Sequence, residues 1–295
     1  MKRLLCLLLT LAPLLPADPA TTTTTTTDFI RVDQDDSAAR LQTSITTYTK
    51  DQINVTLLGA VHIGDLAYYQ TLNEEFTKHD VLLFELIGGE DAAKHLNGQP
   101  RPANEKDGRP AENLRDFYGA FARAMKLSQQ IDYIDYTPEN FVHADLTQNE
   151  YDKITAEKGD DILAFALETS MKNSEITQQP FGGLDVGLVM RAMLSGDGSI
   201  LKLELMKNME TGDEATAAIT GENVVIDVRN EKCLKVMDEQ IKLGKTNLGI
   251  FYGAAHFPDM EERLLKRGFK RTSHRWLTAW NVPKKPKKTS PPENS

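Results

Sequence analysis

Residues 55–66 (VTLLGAVHIGDL) and residues 249–260 (GIFYGAAHFPDM) can be laid on each other without a gap. Each stretch consists of an apolar run, a Gly-Ala turn, a histidine and an aspartate three residues after the histidine. Short apolar runs bounded by turn residues are typical of strands in a sheet that is covered on both faces. The repeated pattern therefore predicts two buried strands, each followed by a helix that the aspartate could cap.

The segments around this repeat alternate between strand-like and helix-like patterns. Alternating runs predict a hairpin with strands at 45–49 and 55–58, turning at residues 50–52. Further strands are predicted at 81–86, 141–142 and 248–252, and one or two closing strands at 269–282. Helical spacing recurs at 66–76, 114–125, 150–172, 182–208, 223–243 and 260–266. We therefore expect an α/β fold with a central, largely parallel or mixed sheet covered by helices, and with both repeated motifs at the carboxyl ends of strands.

Composition and the two ends of the chain restrict its class. The 295 residues include 34 basic and 43 acidic side chains, a formal charge of −9, which disfavours binding to nucleic acid. Residues 1–20 carry two basic residues and then a Leu-rich run of about a dozen residues, which is short of the roughly 20 that span a membrane. This pattern predicts a signal peptide, with an uncleaved anchor as the alternative, and hence a secreted or periplasmic protein with no stable membrane span after removal.

The remaining boundaries follow from composition. Residues 21–43 begin with seven threonines and are predicted to be a disordered linker. Residues 44–282 are predicted to form the α/β domain, and residues 283–295, rich in Lys and Pro, a disordered tail. Loss of the leader removes Cys6 and leaves Cys233 alone, so no intrachain disulfide is expected.

Three side chains in this pattern suggest a metal site. His62 and His256 each follow a predicted strand, and the carboxyl ends of parallel strands converge on one ligand crevice. Glu85 lies near the end of the apolar run VLLFEL, where a carboxylate needs a strong partner such as a metal ion or an arginine. Two imidazoles and one carboxylate can bind a catalytic divalent cation and leave one position open for water. Alternatively, Glu85 could form a structural ion pair with Arg229.

Other polar residues are candidates for supporting roles. Asn230 lies on the apolar stripe of the helix predicted at 223–243, and its neighbour Arg229 projects from the adjoining edge. Such a pair could orient a substrate carboxylate or stabilise an oxyanion. Four further residues could lie behind the metal ligands. His143 and Asp145 follow the strand predicted at 141–142, and Asp65 and Asp259 each lie three residues after a motif histidine, where they could cap a helix.

With these motifs the chain resembles the TraB/GumN-like proteins and the related Tiki metalloproteases, whose hallmark is a pair of GxxH motifs. LLGAVH ends at His62, FELIGG contains Glu85, DVRNEKC contains Arg229 and Asn230, and FYGAAHFPDM surrounds His256, in the family's order. The resemblance covers about residues 55–265. It implies an α/β fold with the motifs on one side of a central sheet. It also implies peptidase activity that depends on a divalent metal, with manganese or cobalt favoured and zinc possible.

We therefore predict a secreted hydrolase that depends on a divalent metal and acts on a peptide or protein substrate. His62, Glu85 and His256 would surround the ion, and Glu85, Arg229 and Asn230 would take part in catalysis. Sequence alone leaves open whether Glu85 is a ligand or the general base. The main alternative is a non-catalytic protein of the same fold that sequesters a peptide, a metal or haem, and a purely structural role for these residues is the third.

Overall fold

The structure is a computed structural model that describes residues 28–89, 93–100, 119, 122–158, 191–192, 194–210 and 226–284. The predicted signal peptide, the threonine tract and all but the first two residues of the predicted tail lie outside the described residues. So do most of the helix predicted at 114–125 and large parts of those predicted at 150–172 and 182–208. Among the described helices, none combines the length and apolar character needed to cross a membrane.

Four parallel strands form one half of a seven-stranded sheet. They are β3 (Ile53–Ala60), β8 (Asn247–Gly253), β5 (Val81–Phe84) and β7 (Phe141–His143), neighbours in that order. Because the strands are parallel, all four carboxyl ends lie at the same edge of the sheet. The predicted α/β fold with a mixed sheet is confirmed.

The other half of the sheet is antiparallel. Strand β2 (Ala38–Lys50) pairs along one edge with β1 (Ile30–Gln34) and then β3, and along its other edge with β9 (Lys270–Pro283). The predicted hairpin between β2 and β3 is present, and the predicted closing segment is a single long strand. A separate ribbon pairs β4 (Ile63–Gly64) with β6 (Ser128–Gln129).

The boundary predicted at residue 43 is wrong, because residues 30–43 belong to the sheet and not to the linker. Apolar side chains in this segment, including Phe29 and Leu41, are buried in the core. The polar stretch from Asp33 to Ala38, which resembles a linker in sequence, spans the end of β1, the turn and the first residue of β2. There the Asp35 carboxylate accepts hydrogen bonds from the backbone N–H groups of Ser37 and Ala38, at 2.7 and 2.9 Å.

Helices cover both faces of the sheet and complete two separate cores. Helices α1 (Leu66–Phe76) and α4 (Ser199–Glu210) pack on the face that carries Leu58 and Phe251. Helices α5 (Ile226–Lys242) and α6 (Phe257–Lys266) pack on the opposite face. The remaining described helices are α2 (Gln130–Tyr133) and α3 (Gln148–Lys158). Both faces of the parallel strands are thus apolar, as their nearly continuous apolar sequence predicts.

The close approach of β8 to its neighbour leaves no room for a side chain at Gly249. A Cβ atom there would lie 2.5 Å from Leu82 Cδ1 and 2.9 Å from His79 Cδ2. We expect Gly249→Ala to lower the free energy of unfolding by about 1–3 kcal/mol, because the packed side chains of Leu82 and His79 must shift. Urea denaturation followed by circular dichroism measures this loss.

Gly244 provides the control, since it follows α5 at a φ of +88° with no atom within 4 Å of its Cβ position. Asparagine tolerates this left-handed conformation, so Gly244→Asn should cost much less. Equal losses in the two variants would contradict the packing argument.

Candidate functional site

The parallel strands deliver four ionisable side chains to one edge of the sheet. His62 lies two residues after β3, Glu85 directly after β5, and Asp145 two residues after β7. His256 closes a single 3-10 turn, Ala254–His256, that follows β8. All four are thus placed at the carboxyl ends, where the topology of a parallel sheet makes them converge.

A buried guanidinium joins two of these strand ends. Arg229 lies on α5 and is 3% exposed, and its Nη2 donates to Glu85 Oε1 and to Asp145 Oδ2, both at 2.6 Å. Its Nε also donates to Asp145 Oδ1 at 2.9 Å, which makes the contact with Asp145 bidentate. Glu85 Oε2 accepts the backbone N–H of Gly253 at 2.7 Å. The ion pair between Glu85 and Arg229, one of the two partners considered for Glu85, is therefore present.

His256 is fully buried and is held in one tautomer by Asn230. The Nδ1 atom of His256 lies 2.6 Å from Asn230 Oδ1, and Asn230 Nδ2 donates to the His256 carbonyl and to Asp259 Oδ2. Because the amide oxygen can only accept, Nδ1 carries the proton and Nε2 is left with its lone pair. That lone pair lies 3.6 Å from Glu85 Oε1 and 3.5 Å from Arg229 Nη1.

The hydrogen bonds of Asn230 change its expected role. It was predicted to contact substrate, whereas its amide oxygen and nitrogen are engaged with His256 and Asp259. Its position on the buried stripe of α5 is as predicted, with 0% exposure. Asn230 is therefore placed to orient His256 and not to reach a bound molecule.

Charge and burial act in opposite directions on Glu85. Burial alone would raise the pKa of this carboxyl, but the charge of Arg229, followed by His256 and His62, holds the pKa well below its ordinary range. Glu85 is consequently an anion at neutral pH. Burial lowers the pKa of His62, against the opposing effect of Glu85, so His62 is favoured in its neutral form.

The chain around His62 is held by hydrogen bonds to the backbone carbonyls of alternate residues. Tyr68 Oη donates to Gly59 O at 2.8 Å, and Tyr69 Oη donates to Val61 O at 2.9 Å. On the far side of His62, Trp280 Nε1 donates to Ile63 O at 2.7 Å. These three donors are buried aromatic side chains, so the loop that presents His62 has few alternative conformations.

The candidate supporting residues divide into two groups. Asp145 and Asp259 contact Arg229 and Asn230, as described above. Asp65 precedes α1 but does not cap it with its side chain, because its Oδ1 accepts from Lys202 and its Oδ2 accepts from the Asn281 backbone. His143 donates from Nε2 to the Leu86 carbonyl at 2.7 Å and packs edge-on against Phe84. The described contacts of Asp65 and His143 are thus structural.

The residues match a divalent cation in part. In a tetrahedral site with bonds near 2.1 Å, two ligand atoms lie about 3.4 Å apart, close to the 3.6 Å between His256 Nε2 and Glu85 Oε1. The donation of Nδ1–H to Asn230 is the arrangement that a ligating imidazole needs. Across the described ranges, however, no three His, Cys, Asp or Glu side chains are gathered closely enough to hold an ion as they stand. A carboxylate oxygen has two lone pairs, so the hydrogen bonds of Glu85 leave acceptor capacity for a cation.

Sequence reasoning missed Gln130, whose backbone N–H donates to the His62 carbonyl at 2.8 Å. It lies in the segment between the two GxxH motifs that matches no family pattern. A glutamine at the start of a short helix has no distinctive signal in sequence, and only the pairing of β4 with β6 places it beside His62.

No match was found among models of protein families, curated proteins or solved structures.

The buried charge cluster predicts a large effect of removing its cation. Arg229→Met leaves Glu85 and Asp145 buried without their partner, so we expect a loss of about 3–5 kcal/mol in the free energy of unfolding at pH 7. In the variant, burial of Glu85 is no longer opposed by Arg229, so its pKa rises above the ordinary value. As the pH falls, the loss should therefore begin to shrink above the ordinary carboxyl pKa of about 4, where Glu85 of the variant becomes protonated. It should shrink further below that pH, where the native chain loses the stabilisation of its paired carboxylate.

Denaturant unfolding of both chains between pH 7 and pH 3 measures this difference. The control is Arg275→Met, which removes an ion pair with Glu75 whose arginine is 45% exposed and should therefore cost much less. A loss in Arg229→Met that stays constant with pH would contradict the proposed origin in unpaired carboxylates.

Proposed function

We propose that the chain is an exported hydrolase that depends on a divalent metal ion and cleaves a peptide or protein substrate. The observation that carries this proposal is the convergence of His62, Glu85, Asp145 and His256 at one edge of the parallel sheet, around the buried Arg229. The resemblance of the two GxxH motifs and of Glu85, Arg229 and Asn230 to the TraB/GumN-like and Tiki proteins supports the choice of a peptidase.

His62, Glu85 and His256 are the residues that would hold the ion. When bound, a divalent ion supplies Lewis acidity, which lowers the pKa of a coordinated water from about 15.7 towards 7. Manganese or cobalt is proposed from the family resemblance, and zinc is compatible with the same donor set. The neutral form of His62, which burial favours, suits this role, since a protonated nitrogen cannot ligate a metal.

Glu85 is better suited to be a ligand than a general base. An efficient general base has a pKa near the working pH, whereas the pKa of Glu85 is held well below its usual range by Arg229 and the two histidines. A carboxylate that stays anionic is a poor proton acceptor but a good partner for a cation. The low pKa of Glu85 therefore favours its role as a metal ligand over its role as a general base, a choice that the sequence left open.

Arg229 is the residue best placed to act on the substrate. The Nε and Nη2 atoms of Arg229 donate to Asp145. Among the hydrogen bonds described above, Arg229 Nη1 makes only the long contact of 3.5 Å with His256. A guanidinium nitrogen fixed in this way can donate to a carbonyl oxygen and stabilise the negative charge that develops there. Asn230 contributes by holding His256 in position.

Export is proposed from the leader at residues 1–20, with a secreted or periplasmic location and no nucleic-acid partner. A non-catalytic protein that sequesters a peptide, a metal or haem is the second candidate. The residues that would hold the ligand are the same in both candidates, so only turnover distinguishes them.

Peptide cleavage by metal-loaded protein tests the proposal. We expect the full chain, loaded with manganese, cobalt or zinc, to cleave members of a diverse peptide library. His62→Ala and Glu85→Gln should each reduce the rate by about a hundredfold or more. Rates are measured by mass spectrometry of the products, and bound metal by elemental analysis.

The matched control is His95→Ala, which removes an exposed histidine and should keep both the metal and the rate. Metal or peptide binding without turnover would favour sequestration. The absence of both binding and cleavage would reject the proposed function.

A further inference from the structure

Each imidazole of the candidate site has a primary amide at its side. For His256 that amide is Asn230, at 2.6 Å from Nδ1. We propose that Gln130 is the corresponding positioning residue for His62, accepting a hydrogen bond from the imidazole N–H and so selecting its tautomer. The hydrogen bond itself does not depend on the proposed function. Only its purpose does, which is to present an unprotonated nitrogen of His62 to a cation.

The pairing of β4 with β6 places the two side chains together. Ile63 lies opposite Gln129 and Gly64 opposite Ser128, so the register continues to His62 opposite Gln130. The Gln130 backbone N–H donates to the His62 carbonyl at 2.8 Å, which shows that the two residues still face each other. Side chains directly opposite in an antiparallel pair project from the same face with Cβ atoms about 5 Å apart.

The nitrogen and the oxygen of the Gln130 amide differ in their hydrogen bonding. Its Nε2 donates to Tyr136 Oη at 3.0 Å, and Tyr136 is itself 4% exposed and packed edge-on against Phe84. Its Oε1 is buried, and among the described residues no donor meets hydrogen-bond geometry with it. A buried amide oxygen without a donor costs about 1–3 kcal/mol, so a small adjustment of a neighbouring donor is strongly favoured.

His62 is the donor that can relieve this cost. The ribbon register and the backbone hydrogen bond from Gln130 to His62 place the imidazole of His62 beside the Gln130 side chain. A histidine that donates from one ring nitrogen presents the lone pair of the other, which is the state that a metal ligand requires. Gln130 therefore orients the imidazole of His62 as Asn230 orients that of His256.

Nitrogen NMR of the histidine side chains in the metal-free, ¹⁵N-labelled full chain tests the inference. The chain has six histidines, and the signal lost in His62→Gln identifies His62. In the native chain we expect one protonated and one bare nitrogen for His62. In Gln130→Met, which keeps the length of the side chain but lacks the acceptor, the two nitrogen shifts should move towards each other as the two tautomers exchange.

The conservative variant Gln130→Glu retains an acceptor oxygen and should restore two separate shifts. The matched control is Gln42→Met, since Gln42 also has a hydrogen-bonded amide but pairs with Arg31 and Thr278, away from the site. Unchanged His62 shifts in Gln130→Met would overturn the proposal. If that variant loses its folded spectrum, Tyr136→Phe takes its place, because it removes only the hydroxyl that anchors Gln130, and unchanged His62 shifts there would overturn the proposal equally.

A metal titration separates this inference from the proposed function. Affinity for cobalt should fall about 10–100-fold in Gln130→Met and recover in Gln130→Glu. A native chain that binds no cobalt contradicts the proposed function, while the NMR comparison still decides the role of Gln130. Equal cobalt affinity in the native and Gln130→Met chains overturns the role of Gln130 and leaves the proposed function intact.

Discussion

The guanidinium of Arg229, shared between the carboxylates of Glu85 and Asp145, is the interaction on which the site depends. It ties α5 to the carboxyl ends of β5 and β7, three elements that are distant in sequence. A buried charge is tolerated only with a partner of opposite sign and good geometry, so Glu85 and Asp145 each require Arg229. The orientation of α5 on the sheet, and with it the place of Asn230 beside His256, follows from this constraint.

The two GxxH motifs are alike in sequence but are supported differently. The loop before His62 is held through its backbone carbonyls by Tyr68 and Tyr69, whereas His256 is held through its own ring by Asn230. The difference follows from the neighbouring helices. The tyrosines of α1 contact the loop before His62, whereas α5 places the amide of Asn230 beside His256. The same GxxH pattern therefore lies in two different environments, because the helices that pack against it come from other parts of the chain.

The electrostatics of the edge favour binding of a cation over acid–base chemistry by Glu85. Glu85 is held as an anion chiefly by Arg229, and burial disfavours a positive charge on His62. A neutral imidazole next to a permanent carboxylate is a donor set that a divalent ion can use. The positive charge of Arg229 limits this affinity, but it also provides the group that could stabilise an oxyanion.

Much of the fold could be predicted because its strands and helices have strong local patterns. The helix at Leu66–Phe76 was predicted with the observed bounds, and the apolar run that begins at Val81 forms a buried strand. The boundary at residue 43 failed because polar residues of a turn resembled a linker, and only pairing with β2 shows that Ile30 and its neighbours form a strand. Gln130 was missed for a similar reason, since its importance comes from a two-residue ribbon with no signal of its own.

By itself the sequence determined which strands carry the ionisable residues, because periodicity and turn residues act over a few positions and are visible in one dimension. The order of the strands followed only from tertiary packing, which places β8 between β3 and β5 and thereby brings His256 next to Glu85. Tertiary structure alone also decided the partner of each polar group. A buried charge or amide is satisfied by whichever group the fold brings within about 3 Å, and for Glu85 that group is Arg229, 144 residues away along the chain.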